Sequence, residues 1–167
     1  MKQLIASFLI IVGAAVFSQP LSANTQVKLI DGKKFTDYEL SNQSRKRSLT
    51  TLEKDFNKLF TKLSKKYLKD GQSVSIEVTN LDLAGDIRYN TGATNQDLRI
   101  VKDSSPLKLY FNYKVLAKDG SLVTEGEHKI KEFLHLSSHS QRQKHRGNLS
   151  HFVPFLEKWF KDGFSQK

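Results

Sequence analysis

The stretch LKLYFNYKVLAKDGSLVTEGEHKIKEF, Leu107 to Phe133, has the pattern of a long β-hairpin. Apolar and polar residues alternate on both sides of Asp119-Gly120, the pair preferred in a two-residue type I′ turn. Centring a hairpin there sets Val115 against Thr124, Tyr113 against Gly126, Phe111 against His128 and Leu109 against Ile130, all on one largely apolar face. On the other face Lys114 meets Glu125 and Leu116 meets Val123. Unlike charges and like apolar groups fall together, as cross-strand pairing requires. A slip of one residue would reverse every side chain. The ring of Tyr113 is expected to cover the missing side chain of Gly126.

Ser73 to Leu83 reads as a strand. Val74, Ile76 and Val78 alternate with polar residues, then Leu81 and Leu83 take the other phase, which predicts a bulge near Asn80. Ala84-Gly85 ends it. The spacing of Leu49, Leu52, Phe56, Leu59, Phe60, Leu63, Tyr67 and Leu68 predicts a helix over Thr50 to Lys69. Thr50 and Glu53 form a capping-box pattern at its start and Gly71 is expected at C′. Asn24 to Asp31 holds a short first strand, and Gly32 to Arg47 reads as a polar connecting loop. Ser137 to Ser150 reads as a basic, His-rich loop. Pro154 opens a final helix whose apolar face is Phe155, Leu156, Trp159 and Phe160, with Gly163 as its cap. The expected class is α+β: a mostly antiparallel sheet with a long helix and a C-terminal helix packed on one face.

The N-terminal segment has a different character. Lys2 precedes an uncharged apolar run from Leu4 to Phe17, followed by Pro20 and Leu21-Ser22-Ala23. This order predicts a secretory signal peptide over residues 1–23, cut after Ala23. The run is shorter than the roughly 20 residues needed to span a bilayer. Residues 24–167 then form a single domain. Cysteine is absent, so the domain must fold on its core alone, which suits a bacterial periplasm better than an animal secretome. The expected location is periplasmic or secreted.

The formal net charge of the chain is +10. Cations cluster at Lys33-Lys34, at Arg45, Lys46 and Arg47, at Lys65, Lys66 and Lys69, and between Arg142 and Arg146. Such a surface favours polyanions. Outside the cytoplasm these are lipid phosphates, lipopolysaccharide or cell-wall polymers, so anionic envelope components or an envelope protein are the expected partners and nucleic acid is not. Arg45, Lys46, Arg47, Lys65 and Lys66 are the candidate polyanion-binding residues.

Four of the five histidines lie close together in sequence, and His135, His139 and His145 are the candidate metal ligands. Their loose spacing and the flanking Arg142, Lys144 and Arg146 weigh against a cation. Asp82, Asp86, Asp97 and Asp103 surround the segment between strand and hairpin. Carboxylates in that pattern serve acid–base chemistry or calcium. Asp86, Asp97 and Asp103 also stand beside Gly, Asn or Ser, where Asp makes local turn bonds. No nucleophile elbow, His-Glu-x-x-His or phosphate loop is present, and no cofactor is implied. A non-catalytic binding or envelope-accessory domain is expected. The alternative is a hydrolase using carboxylates near Asp82 and Asp86.

From Val78 through Asp82-Leu83-Ala84-Gly85-Asp86 the chain resembles the uncharacterised bacterial secreted family called domain of unknown function 3016. The likeness continues through Asp97-Leu98-Arg99-Ile100-Val101-Lys102-Asp103, Pro106, the hairpin, Glu132-Phe133-Leu134 and Trp159-Phe160. Asp82, Gly85, Asp86, Asp97, Arg99 and Asp103 are the residues that carry the motif. The family pattern has Arg after the proline, where this chain has Leu107, and Asp where it has Glu132. The resemblance implies fold and compartment and no activity.

Overall fold

The computed structural model describes residues 25–91, 95–102, 104–134 and 147–164. Among these residues six strands and two α-helices follow in order: β1 (Thr25–Leu29), α1 (Arg45–Tyr67), β2 (Ser73–Asp82), β3 (Asp86–Thr91), β4 (Gln96–Ile100), β5 (Ser105–Leu116), β6 (Leu122–Leu134) and α2 (Val153–Phe164). The main sheet has the order β1-β2-β5-β6, and β3 and β4 form a separate two-stranded sheet. β1 runs parallel to β2, with α1 as the crossover between them, while β2-β5 and β5-β6 are antiparallel. The α+β class expected from the sequence is the class observed. No helix among the described residues is long and apolar enough to cross a membrane.

The hairpin register is the expected one from Ser105 opposite Leu134 to Val115 opposite Thr124. The turn itself differs. Ala117 N donates to Ser121 O, Gly120 N donates to Ala117 O, and Gly120 has φ 84°. Asp119 keeps a negative φ, so this is a three-residue loop closed by a left-handed glycine and not a type I′ turn. The extra residue shifts Leu116 onto Leu122. Asp119 Oδ1 accepts from Ser121 N at 2.9 Å, which favours the three-residue loop. The bulge in β2 falls between Val78 and Asn80, as its change of phase requires.

The inner face of the sheet packs against both helices. Phe56 and Phe60 of α1 and Leu156 and Phe160 of α2 are buried with Ile76, Val78, Leu109, Phe111 and Val115. Trp159 of α2 sets its indole edge-on to Phe111 at 5.0 Å and to Tyr113 at 5.1 Å. His128 fills the space beside them, 5.4 Å from the Phe111 ring. Tyr113 does cover Gly126, where an added Cβ would lie 3.0 Å from its hydroxyl.

Four local expectations are corrected. α1 begins at Arg45, not Thr50, because Ser44 is the N-cap and accepts from Arg47 N at 3.3 Å. It ends at Tyr67, leaving Gly71 in the turn beyond it. The stretch after Gly32 is no free loop: Phe35, Tyr38 and Leu40 are buried in the core, and Thr36 N donates to Leu81 O. α2 runs through Gly163 to Phe164, so that glycine caps nothing.

Candidate functional site

The motif residues meet where β2 ends. Asp82 is 2% exposed, and both its carboxylate oxygens are engaged. Oδ1 accepts from Ala84 N at 3.1 Å, and Oδ2 faces Lys108 Nζ at 3.3 Å. The chain then reverses through Ala84 and Gly85, both with positive φ (63° and 74°). A Cβ on Gly85 would stand 2.3 Å from the carbonyl oxygen of Ile100, so only glycine fits this close approach of backbones.

Arg99, on β4, ties this turn to the segment before α1. Its Nη1 donates to Ala84 O at 2.9 Å and Gly85 O at 2.6 Å. Its Nη2 donates to Asp37 O at 2.8 Å and to Glu39 O. One planar guanidinium thus serves four carbonyls from two segments, a task its forked donors suit. Burial draws the Arg99 pKa down, while the charges of Asp37, Asp82, Asp86 and Glu39 hold it up. Arg99 stays cationic, since arginine does not lose its proton in proteins. Burial, with the charges of Asp82 and Asp86 adding to it, raises the Asp37 carboxyl above its ordinary range.

Asp86 and Asp97 lie in strands β3 and β4, not in the turns expected for them. Asp97 Oδ1 accepts from Asn90 N at 3.2 Å, and Asp97 N donates to Asn42 Oδ1. Asp82, for which no local turn bond was expected, makes one, to Ala84 N. The Asp82 and Asp97 carboxylates each accept from a backbone N–H. Asp103 and the candidate ligands His135, His139 and His145 lie outside the described residues. Among the described residues no group of three or more His, Cys, Asp or Glu side chains stands close enough to hold a metal. Leu107 and Glu132, where the family pattern has Arg and Asp, face one another across β5 and β6, so both departures fall on one cross-strand pair.

A second feature shares residues with this knot of hydrogen bonds around Arg99. Glu39, whose carbonyl receives Arg99, offers its carboxylate to Arg45 Nε at 3.0 Å and to the Tyr89 hydroxyl at 3.1 Å. The Arg45 guanidinium lies over the Tyr38 ring, 5.5 Å from its centroid. Lys33, Tyr38, Arg45, Lys46 and Leu49 line a groove of about 580 Å³ with cations on its rim and an apolar floor. The first turn of α1 carries no acidic residue. Arg45, Lys46 and Arg47 therefore add positive charge where the helix dipole is already positive.

The five candidate polyanion residues are not one patch. Arg45, Lys46 and Arg47 occupy the first turn of α1 and Lys65 and Lys66 the last, about 30 Å away at 1.5 Å per residue. Lys66 leans over Tyr67 and lies 3.8 Å from Glu157. Sequence reasoning missed Lys33, Tyr38 and Leu49 as neighbours of Arg45. The signals present were the Lys33-Lys34 pair and the Phe35, Tyr38, Leu40 spacing inside a polar stretch.

No curated protein matches the chain. The pattern of the family described as Protein of unknown function (DUF3016) matches residues 23–162, and the chain belongs to that family.

Proposed function

We propose that this is an exported, non-catalytic domain that holds an anionic envelope component in the groove at the start of α1. The observation that carries the reading is the pairing of rim cations Lys33, Arg45 and Lys46 with the apolar floor of Tyr38 and Leu49. A ligand with phosphate groups on an apolar body suits both parts. Three cations at a helix start act against helix stability, which supports a role beyond folding. Export is supported by the apolar run behind Lys2, and the family match begins at Ala23, beside the expected cut. The hydrolase alternative loses its main support, because Asp82 is buried and both its oxygens are committed.

The two ends of α1 supply the test. Vesicles of anionic phospholipid are expected to bind the protein, with zwitterionic vesicles as the comparison, and moderate salt should weaken the binding. Lys33→Glu with Lys46→Glu should lower affinity by at least about tenfold, while Lys65→Glu with Lys66→Glu should leave it within about twofold. Equal losses from the two pairs would reduce the effect to net charge, and no loss from the first pair would overturn the groove.

A further inference from the structure

The main sheet has two outer edges, and they are finished differently. On β1, Asn57 of α1 takes the place of a neighbouring strand: Val27 N donates to its Oδ1 at 2.9 Å, and its Nδ2 donates to Val27 O at 3.1 Å. On the other side β6 is the last strand among the described residues, and it is the longest strand of the sheet. Its outer face, on alternate residues, reads Val123, Glu125, Glu127, Lys129, Lys131, Phe133. Val123 and Phe133 are 47% and 55% exposed.

We propose that β6 pairs antiparallel with β6 of a second copy about a two-fold axis at His128, joining two four-stranded sheets into one. In that register Glu125 faces the second copy's Lys131, Glu127 faces Lys129, and Val123 faces Phe133, each pair occurring twice. The interface is isologous and uses strand addition at a free edge. The order of the charges, two acids and then two bases, discriminates against the alternatives. A parallel pairing can oppose like charges along the strand. A slip of two residues, which keeps the same face, sets Glu127 or Lys129 against itself. Only the register centred on His128 opposes every charge with its complement and joins the two apolar ends.

The monomer leaves one of these residues poorly placed. Lys131 stands opposite Lys108 of β5, whose amine is turned to Asp82. Like charges directly opposite are unfavourable, and Glu125 of a second copy relieves this. Glu125 and Glu127 already meet Lys114 and Lys129 within the chain at 3.3 and 3.1 Å, so the pairing completes a line of alternating charge across three strands. An exposed edge of this length otherwise invites unregulated association.

Sedimentation of the purified protein tests this. The native protein should dimerise reversibly at concentrations up to about 100 μM, less strongly in high salt. Lys129→Glu with Lys131→Glu makes the outer face all acidic, and Glu125→Lys with Glu127→Lys makes it all basic. Each variant should dimerise at least about tenfold more weakly, and an equimolar mixture of the two should form a heterodimer. Recovery on mixing separates loss of pairing from loss of folding. A native protein that stays monomeric throughout, variants that dimerise as the native chain does, or a mixture without heterodimer would each overturn the proposal.

Discussion

Phe111 and Arg99 each sit at the centre of a region, and the two regions are held by opposite means. Around Phe111 the contacts are apolar and without fixed direction: Phe60 meets it edge-on at 5.5 Å and Trp159 at 5.0 Å. Around Arg99 a single side chain makes four directed bonds to backbone carbonyls, and the β3–β4 hairpin leaves Tyr89, Leu98 and Ile100 exposed. Packing of the first kind depends on volume and tolerates a similar shape. Bonding of the second kind depends on the exact donor geometry, so a chemically similar residue does not replace it. The first region joins the main sheet to both helices, and the second ties the β3–β4 sheet to the segment before α1.

The largest expected effect falls on the apolar side. Phe111→Ala should destabilise the domain by about 3–5 kcal/mol in a urea titration, a large share of the total for a domain of this size. Phe111→Leu should cost less than about 1.5 kcal/mol if shape rather than specific chemistry governs that site. A loss for Leu as great as for Ala would erase the contrast.

Next in size is Arg99→Lys, which keeps the charge and loses the fork. We expect a loss of about 2–3 kcal/mol, confined in its effect on hydrogen exchange. Amides of residues 86–91 and 96–100 should exchange faster while those of 109–115 keep their protection. Uniform acceleration along the chain would mean that the two regions open together and that Arg99 belongs to the same cooperative unit as Phe111.

The smallest effects sharpen the comparison through pH, where the two regions have opposite signs. Burial lowers the pKa of His128, so the unfolded chain takes up the proton first. Its contribution is fully present above the ordinary histidine range, near about pH 6.5, and is lost as pH falls through that range. Burial and neighbouring carboxylates raise the pKa of Asp37, so the folded chain takes up the proton first and acidification into the carboxylate range adds stability there. Asp37→Asn should therefore stabilise the protein at neutral pH by less than about 1 kcal/mol and remove the acid-side gain. Asn also tolerates the φ of 46° at this position. A decrease in stability at pH 7 would assign Asp37 a favourable role beside Arg99 instead.

The hairpin register, the bulge in β2 and the helix over most of α1 were legible in the sequence because each is a local pattern. Alternation, a change of phase and a 3.6-residue period each occupy a short window, and the physics that makes them acts between near neighbours. The type of the hairpin turn was not legible. Asp-Gly serves both turn forms, and the bonds among Ala117, Asp119, Gly120 and Ser121 select the three-residue one. The β3–β4 sheet escaped because its alternation is short: Ile87 and Tyr89 alternate with polar residues on one strand and Leu98 and Ile100 on the other, two apolar residues each, and both strands are largely exposed. The Arg99 knot was marked only as part of a motif. Its four acceptors are backbone carbonyls, which every residue carries, and they come from 14 to 62 residues away. The sequence alone determined which residues alternate, which face of each element is apolar, and that cations outnumber acids. Folding in three dimensions added that Lys33 joins Arg45 and Lys46 beside Tyr38 and Leu49, that Asn57 closes β1, and that β6 is an outer strand among the described residues. Those relations depend on distances between residues remote in the chain, and close approach of that kind follows from how the whole core packs.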